Sequence, residues 1–219
     1  MAMISNYRIK KIIHTLKELY PEVKTQLHHT NAFELLIATI LSAQCTDRQV
    51  NAVVPKLFQR LKKPEDFIQV KTETLESLIH STGFYHNKAK NIKKCCEMLQ
   101  TEYNSQVPGE LKELVKLPGV GRKTANVVLG AVFGKQTIVV DTHVSRISQR
   151  LGLTLQKNPE KIEQDLMACI PQKKWNDFSL QLIHLGRQFC KAPKPNCQNC
   201  PLSRWCELFL ENEQNIQEK

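Results

Sequence analysis

The sequence predicts an all-α fold, and three observations carry that expectation. Apolar residues recur at helical spacing along nearly the whole chain, and prolines and glycines cut these segments at short intervals. Only one run, Thr137-Ile138-Val139-Val140, has strand character, and no second run stands ready to pair with it. The first stripe, Ile9, Ile12, Ile13, Leu16 and Leu19, stops before Pro21. The second, Phe33, Leu36, Ile37, Ile40 and Leu41, follows Asn31, a residue suited to cap a helix N-terminus. The same spacing predicts helices over 48–61, 74–79, 87–102, 109–116, 123–133, 142–151, 159–169 and 177–189. Punctuation falls at Pro55, Pro64, Gly83, Pro108, Pro118, Gly134, Pro159 and Pro171. No fixed-period repeat, low-complexity tract or linker divides the chain, and the polar residues 212–219 are expected to fray.

Composition narrows the class. The 219 residues are 41% hydrophobic and 24% charged, which suits a folded globular chain and excludes a disordered one. No apolar run approaches the roughly 18 residues of a membrane span. The opening Met1-Ala2-Met3-Ile4-Ser5-Asn6 lacks the charged-then-apolar pattern of a secretory signal. The expected location is therefore the cytoplasm, beside the nucleoid in a bacterium, with the eight cysteines reduced and metal ligation favoured over disulfides. A formal charge of +10 points to a polyanionic partner.

That charge is uneven. From Cys190 onward four basic and four acidic residues cancel, so the rest of the chain carries the excess. Between Glu76 and Glu97 no acidic residue occurs, whereas Lys88, Lys90, Lys93 and Lys94 do. Lys90, Lys93 and Lys94 share one helix face by spacing, either a solvated face or one turned toward a polyanion.

Half the cysteines form one pattern, Cys190-x6-Cys197-x2-Cys200-x5-Cys206, around a proline-rich loop. Four thiolates so spaced can converge on one centre, and the residues alone leave zinc and an iron–sulfur cluster open. Cys45, Cys95, Cys96 and Cys169 are scattered and read as small core residues.

A second dense segment is Leu117-Pro118-Gly119-Val120-Gly121-Arg122-Lys123-Thr124-Ala125. One helix ends before Pro118, a tight turn follows, and another helix starts near Arg122. Gly119 and Gly121 allow positive φ and close approach, and the amides at the new helix N-terminus can cradle phosphate. Lys123 lies on that first turn, where the helix dipole and Arg122 disfavour its charge and favour a nucleophilic amine. A phosphate-contacting cation is the other reading. In Val140-Asp141-Thr142-His143-Val144, Asp141 is placed to cap the next helix; the same ionised carboxylate could stabilise a developing positive charge. His143 reads as structural or as a support to neighbouring site residues rather than as a catalytic group.

In this order the hairpin with Lys123, the Asp141 segment and the four-cysteine loop closely resemble the endonuclease III family of bifunctional DNA glycosylase/AP lyases, over nearly the whole chain. The resemblance implies a two-domain helix-hairpin-helix glycosylase fold with the DNA cleft between the domains. A six-helix domain would span 24–134; residues 1–23 and 135–219 would form a discontinuous helical domain with the cluster loop at 190–206. It implies a [4Fe–4S] cluster rather than zinc on Cys190, Cys197, Cys200 and Cys206. Lys123 matches the family's nucleophile and Asp141 its catalytic aspartate. Gln44, in Leu41-Ser42-Ala43-Gln44, matches a glutamine that enters the DNA, and Phe84 a wedge where the family commonly has leucine. His86 stands where asparagine is common, and Cys45 where a small residue is.

The implied chemistry is base-excision repair by a monomer on double-stranded DNA holding oxidised pyrimidines or abasic sites. The damaged base leaves the stack, Gln44 and Phe84 fill the gap, and Gly119, Gly121 and Arg122 hold phosphate. Lys123 displaces the base through a Schiff base, and β-elimination cuts the strand 3′ to the lesion. The lysine cluster at 88–94 is then expected to face DNA. Two rivals are an adenine-mismatch glycosylase, which lacks the lysine and carries an extra C-terminal domain, and a non-catalytic DNA-binding iron–sulfur module.

Overall fold

The computed structural model describes residues 5–217 of the chain. Every regular element among them is helical: α1 (Asn6–Leu19), α2 (Ala32–Leu41), α3 (Asp47–Arg60), α4 (Pro64–Gln69), α5 (Thr72–Ile79), α6 (Tyr85–Tyr103), α7 (Leu111–Leu114), α8 (Arg122–Val132), α9 (Thr142–Arg150), α10 (Pro159–Cys169), α11 (Trp175–Gln188) and α12 (Glu207–Gln217). The chain divides into two compact units, Thr25–Lys135 and a second made of the residues up to Lys24 with those from Gln136 onward. Each has its own apolar core.

In the Thr25–Lys135 unit, α2 is the central helix. Phe33 and every residue from Leu35 to Leu41 are buried, so it is apolar on all sides, as a helix enclosed by others must be. Helices α3, α6 and α8 pack around it. Asn31 caps it as expected, its Oδ1 accepting the Glu34 N–H at 2.9 Å. Helix α4 is absent from the predicted spacing, because six residues give too few turns for a stripe. It is fixed instead by Pro64 at its start, by Asp66 accepting the N–H groups of Lys62 and Lys63 at 2.7 and 3.2 Å, and by fully buried Phe67. Pro55 does not break α3; it sits inside that helix on the exposed face.

The other unit buries Ile12, Leu16, Val144, Ile147, Ile162, Leu166, Phe178, Leu182 and Leu185 from α1, α9, α10 and α11. The strand-like run forms no strand, and α11 side chains take the place of a partner. Thr137 donates its N–H and hydroxyl to Asn176 Oδ1 at 2.9 and 3.1 Å, and Val139 N–H donates to Ser179 Oγ at 3.1 Å. Ile138 and Val140 thereby point into the core. The expected frayed tail from residue 212 is instead helical as far as Gln217, while 218 and 219, like residues 1–4 at the start where no secretory signal is expected, lie outside the described residues. Arg8 of α1 holds the start of α12: it pairs with Glu207 and donates to the carbonyls of Trp205 and Leu151 at 2.8 and 2.9 Å.

Candidate active site and cysteine centre

The hairpin lies between α7 and α8, anchored by Leu117 and Val120, 2% and 5% exposed. Its two glycines do different work. Gly119 has φ +80°, and a Cβ there would sit 3.0 Å from the Asn91 Cβ of α6, so both conformation and space demand glycine. Gly121 does not use the positive φ open to it. At φ −86° it is the extended N-cap of α8, and an added Cβ would meet nothing within 4 Å. The helix start carries no side-chain cap, so its first-turn amides face outward beside an open position. Arg122 and Lys123 are both exposed on this turn, and among the described residues no partner holds the Lys123 amine.

Gln44 and Phe84, also in this unit, share an unusual backbone. Both lie in the left-handed region, at φ 51° and 50°, which costs a non-glycine residue of order 1 kcal/mol or more. Both are exposed, Phe84 at 62% despite its apolar ring. The Gln44 turn is fixed by Ser42, which accepts the Cys45 N–H at its carbonyl (3.1 Å) and donates its hydroxyl to Thr39 O (2.8 Å). Around Phe84, the Tyr85 ring lies between His80 and His86 at centroid distances of 4.5 and 4.2 Å, and His86 Nδ1 is 2.9 Å from Glu76 Oε1.

The lysine cluster beside Phe84 is not the DNA-facing row the sequence suggested. Lys88 is 5% exposed, and its Nζ donates to the carbonyls of Leu41 and Thr82, each at 2.8 Å. Burial pushes its pKa below the usual lysine value, opposed by Cys45 nearby. Lys93 donates to the carbonyls of Phe67, Ile68 and Val70 at 3.0, 2.8 and 2.6 Å, closing the C-terminal end of α4. Only Lys90 and Lys94 of the four are exposed. A signal was present in the sequence: the buried positions of α6, Lys88, Ala89, Ile92, Cys95, Cys96 and Leu99, form one helical stripe with Lys88 at its head.

In the second unit Asp141 caps α9, its Oδ1 accepting the Val144 N–H at 2.8 Å. His143 Nδ1 lies 3.2 Å from Arg146 Nη2 and packs on Gly186 of α11, where an added Cβ would come within 2.4 Å of the ring.

Cys190, Cys197, Cys200 and Cys206 converge on a recess of about 290 Å³, partly open to solvent, with Arg150, Phe189 and Phe209 also on its wall. Burial raises the thiols of Cys197 and Cys206 and pushes Cys200 up to about 11. Ionising these three thus calls for a positive centre beside them. Arg150 Nη1 donates to Cys190 Sγ at 3.2 Å and Arg146 Nη2 to the Cys190 carbonyl at 2.8 Å. Among the described residues no three His, Cys, Asp or Glu side chains gather closely enough for a single ion. The remaining cysteines are core: Cys95 and Cys96 fully buried, Cys45 and Cys169 partly.

Comparison with known proteins bears on these features together. A family model described as HhH-GPD superfamily base excision DNA repair protein matches residues 37–172. An endonuclease III of Synechocystis sp. is 49% identical over 200 residues, covering 91% of each chain. One from Bacillus subtilis is 45% identical over 205 residues, covering 93% of this chain and 94% of its own. A solved structure of a trapped endonuclease III–DNA covalent intermediate superposes with a TM-score of 0.91 at 44% identity, covering 96% of this chain and all of that one. With identity of 45% to 49% to these relatives over more than nine-tenths of its length, the chain belongs to the endonuclease III family of helix-hairpin-helix base excision DNA repair proteins.

Proposed function

We propose that this chain excises oxidised pyrimidines from duplex DNA with Lys123 as nucleophile and then cuts the strand 3′ to the abasic site. Family membership makes it a base-excision repair enzyme, a bifunctional DNA glycosylase and AP lyase, acting where the DNA is. The observation that carries the residue assignment is Lys123, an exposed, unpartnered amine on the uncapped first turn of α8, next to amides suited to phosphate. A purely phosphate-binding hairpin needs the amides and Arg122 but has no requirement for that amine.

The steps balance as follows. The unprotonated Lys123 nitrogen bonds to C1′ as the C1′–N bond to the base breaks, and the base leaves with the electron pair and takes up a proton. Asp141, ionised while it caps α9, offsets the positive charge developing on the sugar and relays the amine proton. Ring opening gives an iminium between Lys123 and C1′. This acidifies C2′; loss of a C2′ proton expels the 3′ phosphate, and water releases the unsaturated aldehyde from Lys123. Gln44 and Phe84, exposed and in left-handed backbone, would occupy the space left by the extruded nucleotide.

The cysteine recess fits a four-thiolate centre: four cysteines and no histidine or carboxylate line it. The Cys-x6-Cys-x2-Cys-x5-Cys spacing, which resembles the family's iron–sulfur loop, favours a [4Fe–4S] cluster over zinc. Bound there, the cluster would tie the 190–206 loop to α9 through Arg146 and Arg150, and no reaction step passes through it.

Borohydride trapping on a duplex holding one abasic site tests the assignment. The unaltered protein gives a covalent adduct, and Lys123→Ala gives none while still binding the duplex. An adduct that survives Lys123→Ala, or an affinity that collapses with it, would make Lys123 a phosphate clamp.

A further inference from the structure

Lys88 stands out as a buried cation that no catalytic step uses. Its ammonium donates to two carbonyls from segments distant in the chain, Leu41 O at the end of α2 and Thr82 O in the turn before α6, each 2.8 Å from the same nitrogen. Leu41 lies three residues before Gln44, and Thr82 two residues before Phe84. Those are two of the four non-glycine residues with positive φ among the described residues. Desolvation alone disfavours the charge at this position, so the site keeps a destabilised cation where an apolar residue would be the ordinary choice.

We infer that Lys88 is a positioning residue that sets the spacing between Gln44 and Phe84, so that both enter the same step of the DNA duplex together. This rests on the proposed glycosylase/lyase reading and names the part that couples its two insertion loops. The physical reason for a lysine is geometric. Two loops on separate helices could each be well folded and still drift relative to one another. One ammonium hydrogen-bonded to both backbones removes that freedom, and charge-assisted bonds are the stronger kind. The C-terminal end of α2, where the helix carries partial negative charge, adds to the hold on the cation. The strained backbone at Gln44 and Phe84 follows from the same demand, since strain persists only where the surroundings fix it. Turning an abasic nucleotide out of a duplex needs both insertions at once; reacting with the same nucleotide in a single strand, where there is no duplex to hold open, needs neither.

That contrast supplies the test. Borohydride trapping rates are measured for Lys88→Met and Lys88→Arg on an abasic-site duplex and on the same abasic strand without its complement. Lys88→Met is expected to lose about 100-fold on the duplex, the scale of an ångström-sized misplacement, and less than about 3-fold on the single strand. Lys88→Arg keeps the charge and shifts the donors; it is expected to show the same selectivity at roughly tenfold. It carries the comparison should Lys88→Met fail to fold. In a Gln44→Ala/Phe84→Ala background, Lys88→Met is expected to add less than about 3-fold on the duplex, because the residues it positions are gone. Equal losses on both substrates, or a full loss in that background, would make Lys88 a packing residue and overturn the inference. Failure of the unaltered protein to form an adduct with either substrate would instead overturn the lyase reading beneath it.

Discussion

The two hairpin glycines separate folding from function, because each faces a different constraint. At Gly119, alanine would have to hold φ +80°, a left-handed conformation that costs an L-residue roughly 1–2 kcal/mol. Its Cβ would also press to 3.0 Å from the Asn91 Cβ, on the rigid base of a side chain rather than its mobile end. The lower chain entropy of alanine in the unfolded state returns only about 0.4–1 kcal/mol. Gly119→Ala should therefore destabilise by about 1–2 kcal/mol net, and at about 2–4 °C per kcal/mol for a chain of this size the midpoint should fall by roughly 2–8 °C. At Gly121, alanine adopts φ −86° freely and meets no atom within 4 Å. It loses part of the N-cap preference, about 0.5–1 kcal/mol, and gains a similar amount from the unfolded state. Stability should stay within about 0.5 kcal/mol, yet the methyl group projects where a phosphate would sit on the α8 amides. Duplex affinity, measured by fluorescence anisotropy at fixed salt, should fall at least about tenfold, the equivalent of one lost charge-assisted contact of roughly 1.4 kcal/mol or more. Equal midpoints for the two variants, or an unaltered affinity for Gly121→Ala, would refute the division of roles.

Asp141→Asn keeps an N-cap acceptor for Val144 and removes the charge, so α9 should remain folded while base excision slows by about 100-fold or more; unchanged excision would reduce Asp141 to a cap. Burial pushes the Cys95 thiol up to about 12, from 9.0 in the unfolded chain. The folded state therefore retains a proton the unfolded state has lost, and stability should decline between about pH 9 and 12 at up to about 1.4 kcal/mol per pH unit for that group. Urea midpoints across this range should fall less steeply in Cys95→Ala; an unchanged slope would remove Cys95 from the account. Iron and sulfide analysis of the purified, yellow-brown protein should give about four of each per chain, and Cys200→Ser should lower both. One zinc per chain and no colour would overturn the cluster assignment.

How much was legible in the sequence depended on whether a side chain acts alone or through its neighbours. The stripes of α1 and α2, the Asn31 cap and the four-cysteine spacing are local patterns, read directly from 3.6-residue periodicity and ligand intervals. Helix α4 escaped, since its stability comes from Pro64, Asp66 and Phe67 rather than from a stripe. Thr137–Val140 could be read as extended, but the α11 side chains that satisfy its amides lie about 40 residues away. Gly119 and Gly121 look equivalent in sequence and differ because one holds φ +80° above Asn91 of α6 while the other lies at φ −86° beside open space.

The lysines of α6 show the same limit with a functional consequence. Charge counting assigns Lys88 and Lys93 to a phosphate-facing surface, yet five carbonyl oxygens already hold them. The positive charge available to DNA from this stretch is therefore that of Lys90 and Lys94, and salt dependence of binding should reflect two cations there rather than four. What α6 contributes instead is alignment. Lys88 bonds the segments leading to Gln44 and Phe84, Asn91 lies against Gly119 of the hairpin, and Lys93 closes α4. One helix thus fixes from beneath every surface segment of its unit proposed to touch DNA. A substitution on its buried face should change how the loops act together before it changes what any one of them can contact.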